Sequence, residues 1–140
     1  KALNNKKIII HADSTKSSPG SRHYVHVDDV ADAVLFIINN KEKLKEIPDD
    51  QYGAKCKKIN IASSFEMNNL EVAESISKYL GLVIDYELVD FHSTRPGHDL
   101  RYALDDSLIA SMGWKPSKST QEGLEQVTKW YSENQEWLKF

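Results

Sequence analysis

The chain has 140 residues, of which 40% are hydrophobic and 28% are charged, a composition typical of one folded domain and not of a disordered segment. Its net charge of −3 includes no basic excess, and no apolar run is long enough to span a membrane, so we expect neither nucleic acid nor a membrane as a partner. A single cysteine, Cys56, excludes an internal disulfide and favours a reducing compartment such as the cytoplasm. Because the sequence begins with Lys1 and not with methionine, we expect it to be a piece of a longer protein.

The first part of the chain predicts two short strands and one helix. A β-branched run at 7–11 predicts the first strand, and 23–27 predicts the second, with a loop of small polar residues at 13–21 between them. Asp28 or Asp29 is predicted to cap a helix that runs to about residue 40. The apolar positions of this helix are Val30, Val34, Leu35, Phe36, Ile37 and Ile38. So wide an apolar arc predicts a helix that is covered on more than one side.

The middle of the chain predicts a loop, a strand and a well-capped helix. The charged stretch at 41–58 predicts a surface excursion, and 58–62 predicts a strand. Asn68 or Asn69 is predicted to cap a helix that ends at Gly81.

The last part of the chain predicts a strand at 83–89, a short helix capped by Asp105, and a long final helix. Ser119 and Glu122 have the spacing of a capping box at the start of that final helix, and its apolar positions continue to Leu138. Strands that alternate with helices in this way predict an α/β layer arrangement.

Several motifs of catalysis and cofactor binding are absent from the sequence. It contains no glycine-rich dinucleotide loop, no P-loop, no Tyr-x-x-x-Lys pair and no G-x-S-x-G. The five histidines lack the spacing of a zinc site, so hydrogen-bonded or solvent-exposed histidines are the expectation. We therefore predict no catalytic, cofactor-binding or metal-ligating residue in this chain.

The cations with a possible binding role lie on loops. Arg95 precedes Pro96, which fixes its own backbone, and Gly97, which allows a ligand to approach the backbone closely. An arginine on such a turn is suited to bidentate contact with a phosphate, although it could equally be a solvated residue of an ordinary turn. Arg22 follows a glycine-containing loop and leaves the same two alternatives open. Asn60 falls within a predicted strand, where its amide could serve the fold or a ligand.

Five segments resemble the nucleotide-sugar 4,6-dehydratases of the dTDP-glucose 4,6-dehydratase type, which are extended short-chain dehydrogenase/reductases. These segments are KKIIIHAD at 6–13, RHYVHVDDVADAV at 22–34, INIA at 59–62, RPGHDLRYALD at 95–105 and GWKPSKSTQEGLEQVTKWYSENQEW at 113–137. His23, Lys7 and Ala12 depart from the residues that are usual in the family, where Asp or Asn, Pro and Gly are common at these positions.

The resemblance implies a fold and an activity for the whole enzyme. Residues 1–140 would be the substrate-binding C-terminal part of a Rossmann-type α/β enzyme and would lack the N-terminal dinucleotide-binding half, which binds NAD. The helix at 28–40 and the strand at 58–62 would pack on the NAD-binding sheet. The full-length enzyme, a lyase of deoxysugar and rhamnose biosynthesis and a homodimer, would convert dTDP-glucose or UDP-glucose to the 4-keto-6-deoxy sugar and water. This part alone would be inactive, and it would self-associate or rearrange through the helix segment 30–38.

The resemblance also implies the residues that bind the nucleotide-diphosphate sugar. Arg22, Asn60 and Arg95 would contact the diphosphate. The other implied binding residues are Lys6, Ile8, Ile10 and His11 near the base, His98 near the diphosphate and sugar, and Thr94, Pro96 and Gly97 in the turn around Arg95. Two alternatives stay open: a sibling nucleotide-sugar epimerase or decarboxylase, and a non-enzymatic α/β interaction module.

Overall fold

The computed structural model describes residues 1–47, 57–63, 65–97 and 99–138. It confirms a mixed α/β architecture of short strands and helices. The strands are β1 (Ile8–Ala12), β2 (Ser21–His23), β3 (Glu66–Asn68), β4 (Tyr86–Asp90) and β5 (Arg101–Tyr102). The helices are α1 (Val27–Asn39), α2 (Lys41–Glu46), α3 (Asn69–Leu80), α4 (Phe91–Thr94), α5 (Ser107–Ser111) and α6 (Thr120–Glu133), with short 3-10 turns at Ala2–Asn4 and Gln135–Leu138.

The strands form two small sheets. The predicted first strand is confirmed as β1, whose β-branched residues pair in parallel with β4, so that Ala12 lies opposite Asp90. In the second sheet β2 is the central strand, antiparallel to β3 and parallel to β5. Both sheets contain a parallel pair, and the carboxyl ends of β1 and β4 therefore lie side by side at one edge.

The core lies between α1, α5 and the residues that follow α5. Ala33 and Ile109 are fully buried, and Trp114 is nearly so. Partly buried residues of α1 and of 57–63 complete this cluster: Phe36, Ile37, Ile59 and Ile61. The opposite face of α1 remains exposed, so the described residues cover only one side of its apolar arc.

Local sequence determines the ends of the two long helices after β3. Asn68 and Glu71 form a capping box at the start of α3, and Gly81 ends this helix in a left-handed conformation with φ of 67°. Ser119 and Glu122 form the predicted capping box of α6. The predicted caps of both helices are therefore confirmed.

The predicted cap of α1 is wrong by two to three residues. His26 caps this helix, because its Nδ1 atom accepts a hydrogen bond from the backbone N–H of Asp28 at 3.2 Å. The two aspartates have other partners further along the chain. Asp29 accepts hydrogen bonds from Ser117, and Asp28 forms an ion pair with Lys118 at 2.9 Å.

The segment 57–63 pairs with no strand in the described part of the chain, so the predicted strand at 58–62 is not formed within these residues, and its packing on an NAD-binding sheet stays a prediction. A strand exists only where a neighbouring strand accepts and donates its hydrogen bonds. Ile59 and Ile61 of this segment both pack on the core. The Nδ2 atom of Asn60 instead donates to the backbone carbonyl of Asp105 at 2.8 Å.

Three other boundaries differ from the prediction. The second strand covers Ser21–His23 and not 23–27, since these are the residues that pair with β3. α2 forms within the predicted excursion at 41–58, of which 48–56 lies outside the described residues. The final helix ends at Glu133, where the carbonyl of Trp130 accepts hydrogen bonds from both the backbone N–H and the Nδ2 atom of Asn134, at 2.9 and 2.8 Å.

Glu66 joins all three strands of the second sheet. Its carboxylate accepts two hydrogen bonds from Arg101, at 2.8 and 2.9 Å, and one from the hydroxyl of Ser21. The Nε2 atom of His23 lies 3.7 Å from the same carboxylate. Hydrogen bonds from Arg101 and then Ser21 lower the pKa of Glu66 from 4.5 to about 2.

Glu66→Gln should reduce the free energy of unfolding and make it depend less on pH in the acidic range. The pKa of Glu66 is lower in the folded state, so its contribution is complete above pH 4.5 and is lost as the pH falls towards 2. Urea unfolding at pH 3 and pH 6 should show a smaller difference between the two pH values for Glu66→Gln than for the unmodified protein. Glu125→Gln, an exposed residue of α6, removes the same charge and should leave that difference unchanged. Equal pH dependence in Glu66→Gln and the unmodified protein would contradict the role assigned to Glu66.

Asp29→Ala should destabilise the fold by about 1–3 kcal/mol, the usual loss when a buried hydrogen-bonding group has no partner. Asp29 is 2% exposed and accepts from the backbone N–H and the hydroxyl of Ser117, at 2.9 and 2.7 Å. Burial alone would raise the pKa of Asp29, but hydrogen bonds from Ser117 outweigh it and lower the pKa. Asp28→Ala is the matched control, because its exposed ion pair with Lys118 should contribute much less. Equal losses from both variants in thermal unfolding would be inconsistent with this account.

Candidate functional site

A groove of about 270 Å³ opens beside the carboxyl ends of β1 and β4. We call it the arginine groove. Its lining residues are Ile9, Ile10, His11, Gly20, Arg22, Asn69, Phe91, Arg95, Asp99 and Leu100. Ligands commonly bind beyond the carboxyl ends of parallel strands, where the loops diverge.

Backbone hydrogen bonds bring the walls of this groove together. The N–H of Gly20 donates to the carbonyl of His11 at 3.0 Å, and the N–H of Ser21 donates to the carbonyl of Leu100 at 2.9 Å. A Cβ atom on Gly20 would lie only 2.9 Å from the Leu100 carbonyl oxygen. Glycine at position 20 therefore allows the chain before β2 to pass directly against the chain before β5.

Arg22 enters the groove from the central strand β2. It is half-buried, and its Nη1 atom donates to the backbone carbonyl of Ser21 at 3.0 Å. The Cζ atom of Arg22 lies 4.4 Å from the centre of the Tyr102 ring, within the range of a cation–π interaction.

Arg95 enters the groove from the end of α4. This helix begins directly after β4, and the backbone N–H of Arg95 donates to the carbonyl of Phe91 at 2.8 Å. The side chain of Arg95 is exposed, and Gly97 turns the chain away with φ of 82°. The end of β4 and the turn of α4 thus determine where Arg95 lies.

The arginines of this region have different partners. Arg101 is paired with Glu66, whereas neither Arg22 nor Arg95 has a carboxylate within ion-pair distance in the described parts of the chain. The carboxylate of Asp99 lines the same groove. Among the described residues, two arginines and one aspartate line the groove, so its formal charge is positive in a chain whose total charge is −3.

The remaining walls are aromatic and aliphatic. Ile10 and Phe91 are buried, and the His11 ring meets the Phe91 ring edge to face, with 5.5 Å between ring centres. Apolar walls lower the local dielectric constant and strengthen the attraction between the arginines and an anion.

The structure brings together four of the residues that the sequence and the resemblance suggested: Arg22, Arg95, His11 and Ile10. Asn60 does not line the groove, and its amide contacts Asp105 instead. Ile8 lines a separate apolar cavity against α3 and α6.

The other suggested residues are not among those that line the groove. Lys6, Pro96 and Gly97 are exposed, and Thr94 is the last residue of α4. His98 lies outside the described residues.

Sequence reasoning missed Gly20, Asn69, Phe91, Asp99 and Leu100 as groove residues. The glycine two residues before Arg22 was the one available signal, since glycine often marks a close backbone approach. The others meet only because segments distant in the sequence are hydrogen-bonded to one another.

This arrangement is suited to binding an anion. Two guanidinium groups that approach from different segments can each donate two hydrogen bonds to phosphate oxygens. Among the described residues, no group of three or more histidine, cysteine, aspartate or glutamate side chains is placed to hold a metal ion. No helix in that part of the chain is both long and apolar enough to cross a membrane.

Comparison with known proteins gives the family context. A trifunctional UDP-glucose 4,6-dehydratase/UDP-4-keto-6-deoxy-D-glucose 3,5-epimerase/UDP-4-keto-L-rhamnose-reductase of Arabidopsis thaliana is 31% identical over 97% of this chain and 18% of its own length. A probable GDP-L-fucose synthase of Oryza sativa subsp. japonica is 34% identical over 81% of this chain and 30% of its own length. No protein-family model matches the sequence.

A solved structure has the same fold. The dTDP-glucose 4,6-dehydratase of Bacillus anthracis, crystallised in complex with NAD, superposes with a TM-score of 0.72 and 28% identity, over 97% of this chain and 38% of that one. The chain thus spans between 18% and 38% of the length of these three proteins. It is therefore a member of the extended short-chain dehydrogenase/reductases, related to the nucleotide-sugar 4,6-dehydratases and corresponding to a part of those enzymes.

Proposed function

We propose that this chain is the C-terminal, substrate-binding part of a nucleotide-diphosphate-glucose 4,6-dehydratase, and that the arginine groove holds the diphosphate. One observation carries the proposal: Arg22 and Arg95 line the same groove, and neither is neutralised by a carboxylate partner in the described residues. Relatives that include 4,6-dehydratases support the substrate class.

The binding energy would come from charge-assisted hydrogen bonds. A diphosphate group presents several anionic oxygens, and two guanidinium groups from different directions match them in charge and shape. Each such hydrogen bond contributes about 1.5–3 kcal/mol in favourable cases. Asp99 would limit this gain, because its carboxylate lies in the same groove and repels the ligand.

The further contacts in the proposal come from residues near the groove. Residues 6–11, including Lys6, Ile8 and His11, would contact the base, partly through backbone groups. Asn60 would join the diphosphate contacts only if its amide exchanged the Asp105 carbonyl for the ligand. The turn formed by Thr94, Pro96 and Gly97 would hold Arg95 in place. His98 would bind near the diphosphate and sugar.

The reaction of the whole enzyme extends the proposal beyond this chain. It would convert dTDP-glucose or UDP-glucose to the 4-keto-6-deoxy sugar and water, as a cytoplasmic homodimeric lyase of deoxysugar and rhamnose biosynthesis. The sequence contains no glycine-rich strand–turn–helix loop of the kind that cradles a dinucleotide, so no residue here is assigned to NAD. In this proposal NAD is bound by the N-terminal half, and the present residues only hold the substrate.

A sibling activity is the second candidate. The 34% identity to a probable GDP-L-fucose synthase is similar to the 31% identity to the trifunctional UDP-glucose 4,6-dehydratase, so sequence identity alone does not select the reaction. An epimerase or decarboxylase would use the same diphosphate contacts. An assay of the full-length protein for a 4-keto-6-deoxy product separates these activities from a dehydratase.

The third candidate is a non-enzymatic interaction module, in which both arginines are simply solvated. The exposure of Arg95 is compatible with this reading. A module of this kind would bind neither dTDP nor UDP.

Arg95→Ala should weaken the binding of dTDP or UDP to the full-length protein by about 10- to 150-fold, the loss expected for one charge-assisted hydrogen bond of about 1.5–3 kcal/mol. Isothermal titration calorimetry measures the change, and Arg22→Ala should have an effect of similar size. Lys129→Ala is the control, because it removes an exposed cation from α6, away from the groove. Unchanged affinity in both arginine variants would remove the proposal and favour the interaction module.

The exposed face of α1 supports the second part of the proposal, that α1 and 57–63 pack on the NAD-binding sheet of the longer protein. Val34, Leu35 and Ile38 are 45%, 59% and 58% exposed, although all three are apolar. Apolar patches of this kind commonly mark interaction surfaces. Covering ~400 Å² of such surface would contribute about 10 kcal/mol at about 25 cal/mol per Å², before the cost of association.

Residues 1–140 expressed alone should therefore self-associate through α1. Sedimentation velocity should show oligomers for this piece, and the double substitution Leu35→Glu and Ile38→Glu should return it to a monomer. Val83→Glu is the control, since Val83 is 97% exposed but lies away from α1. A monomer at every concentration tested, without substitution, would contradict the proposed packing of α1.

A further inference from the structure

We propose that Tyr102 is a positioning residue for the bound anion, because its ring holds the Arg22 guanidinium towards the arginine groove. The inference rests on the proposed function and adds to it a residue that does not itself line the groove. Its effect on the ligand would pass entirely through Arg22.

The sheet places these two side chains next to each other. β2 and β5 run parallel, and their register sets Arg22 opposite Tyr102. Side chains opposite each other on neighbouring strands project from the same face of a sheet and interact directly. The distance of 4.4 Å from the Arg22 Cζ atom to the Tyr102 ring centre shows that the two are in contact.

The two faces of this sheet carry different side chains. Ser21, His23, Glu66 and Arg101 form the ionic network on one face. Arg22 and Tyr102 alternate with these residues along β2 and β5 and therefore project from the other face. The network holds the short strand β5 against β2, and β5 in turn presents the Tyr102 ring.

An aromatic partner suits a ligand-binding arginine better than a carboxylate does. A free arginine side chain samples many rotamers, and fixing it in advance reduces the entropy lost on binding. A carboxylate would also fix it, as Glu66 fixes Arg101, but would neutralise its charge. The face of a ring restrains the guanidinium and leaves its hydrogen-bond donors available at the edge.

The test uses the full-length protein and the affinity for dTDP and UDP. Tyr102→Leu should weaken binding by about 3- to 30-fold, the range expected from a lost cation–π contact. Tyr102→Phe retains the ring and should bind within about twofold of the unmodified protein. Tyr86→Leu, a tyrosine of β4 with similar exposure (40% against 44%), should have no effect on affinity.

A double-mutant cycle shows whether Tyr102 acts through Arg22. In the Arg22→Ala background, Tyr102→Leu should cause no further loss of affinity. Urea midpoints of all variants identify a loss that arises from unfolding, and Tyr102→Phe keeps the test decisive if Tyr102→Leu is unstable.

Three outcomes would overturn the inference. They are unchanged affinity in Tyr102→Leu, equal losses of affinity in Tyr102→Phe and Tyr102→Leu, or a loss of affinity from Tyr102→Leu that is just as large in the Arg22→Ala background. In the first of these, a loss in Arg22→Ala would leave the proposed function intact. An unmodified protein that binds neither dTDP nor UDP would instead refute the proposed function, and this inference with it.

Discussion

The contact between Glu66 and Arg101 is the interaction on which the second sheet, and with it the position of Arg22, depends. β2, β3 and β5 have only three, three and two residues, so backbone hydrogen bonds alone give this sheet little cohesion. One carboxylate on β3 adds side-chain bonds to both neighbouring segments. Without it, the parallel pairing of β2 and β5, which sets Arg22 beside Tyr102, would rest on very few contacts.

The same contact also divides the arginines by role. Arg101 is neutralised where it lies and serves the fold, while Arg22 and Arg95 keep their charge and face a common groove. In an acidic chain such a groove is a local feature and not part of a general basic surface. Such a local feature is consistent with the small anionic ligand of the proposed function.

Local chemistry made part of the fold predictable from the sequence. Asn68 with Glu71, Ser119 with Glu122, and Gly81 act within one helical turn, so α3 and the start of α6 could be read directly. Asp28, Asp29 and Asn60 could not, because their partners lie 45 to 90 residues away and no local rule reveals them. The family resemblance predicted that Arg22 and Arg95 would lie in one site. Gly20, Phe91 and Leu100 could be recognised as groove residues only from the tertiary structure.

Gly20 gives the groove a property that side chains cannot provide. Main-chain hydrogen bonds on both sides of this residue, to His11 and Leu100, fix how far apart the two walls stand. The spacing of these two walls therefore does not depend on side-chain rotamers. In the proposed site, the main chain would therefore set the size of the anion that fits between the two walls, and the exposed Arg95 side chain would adjust to it.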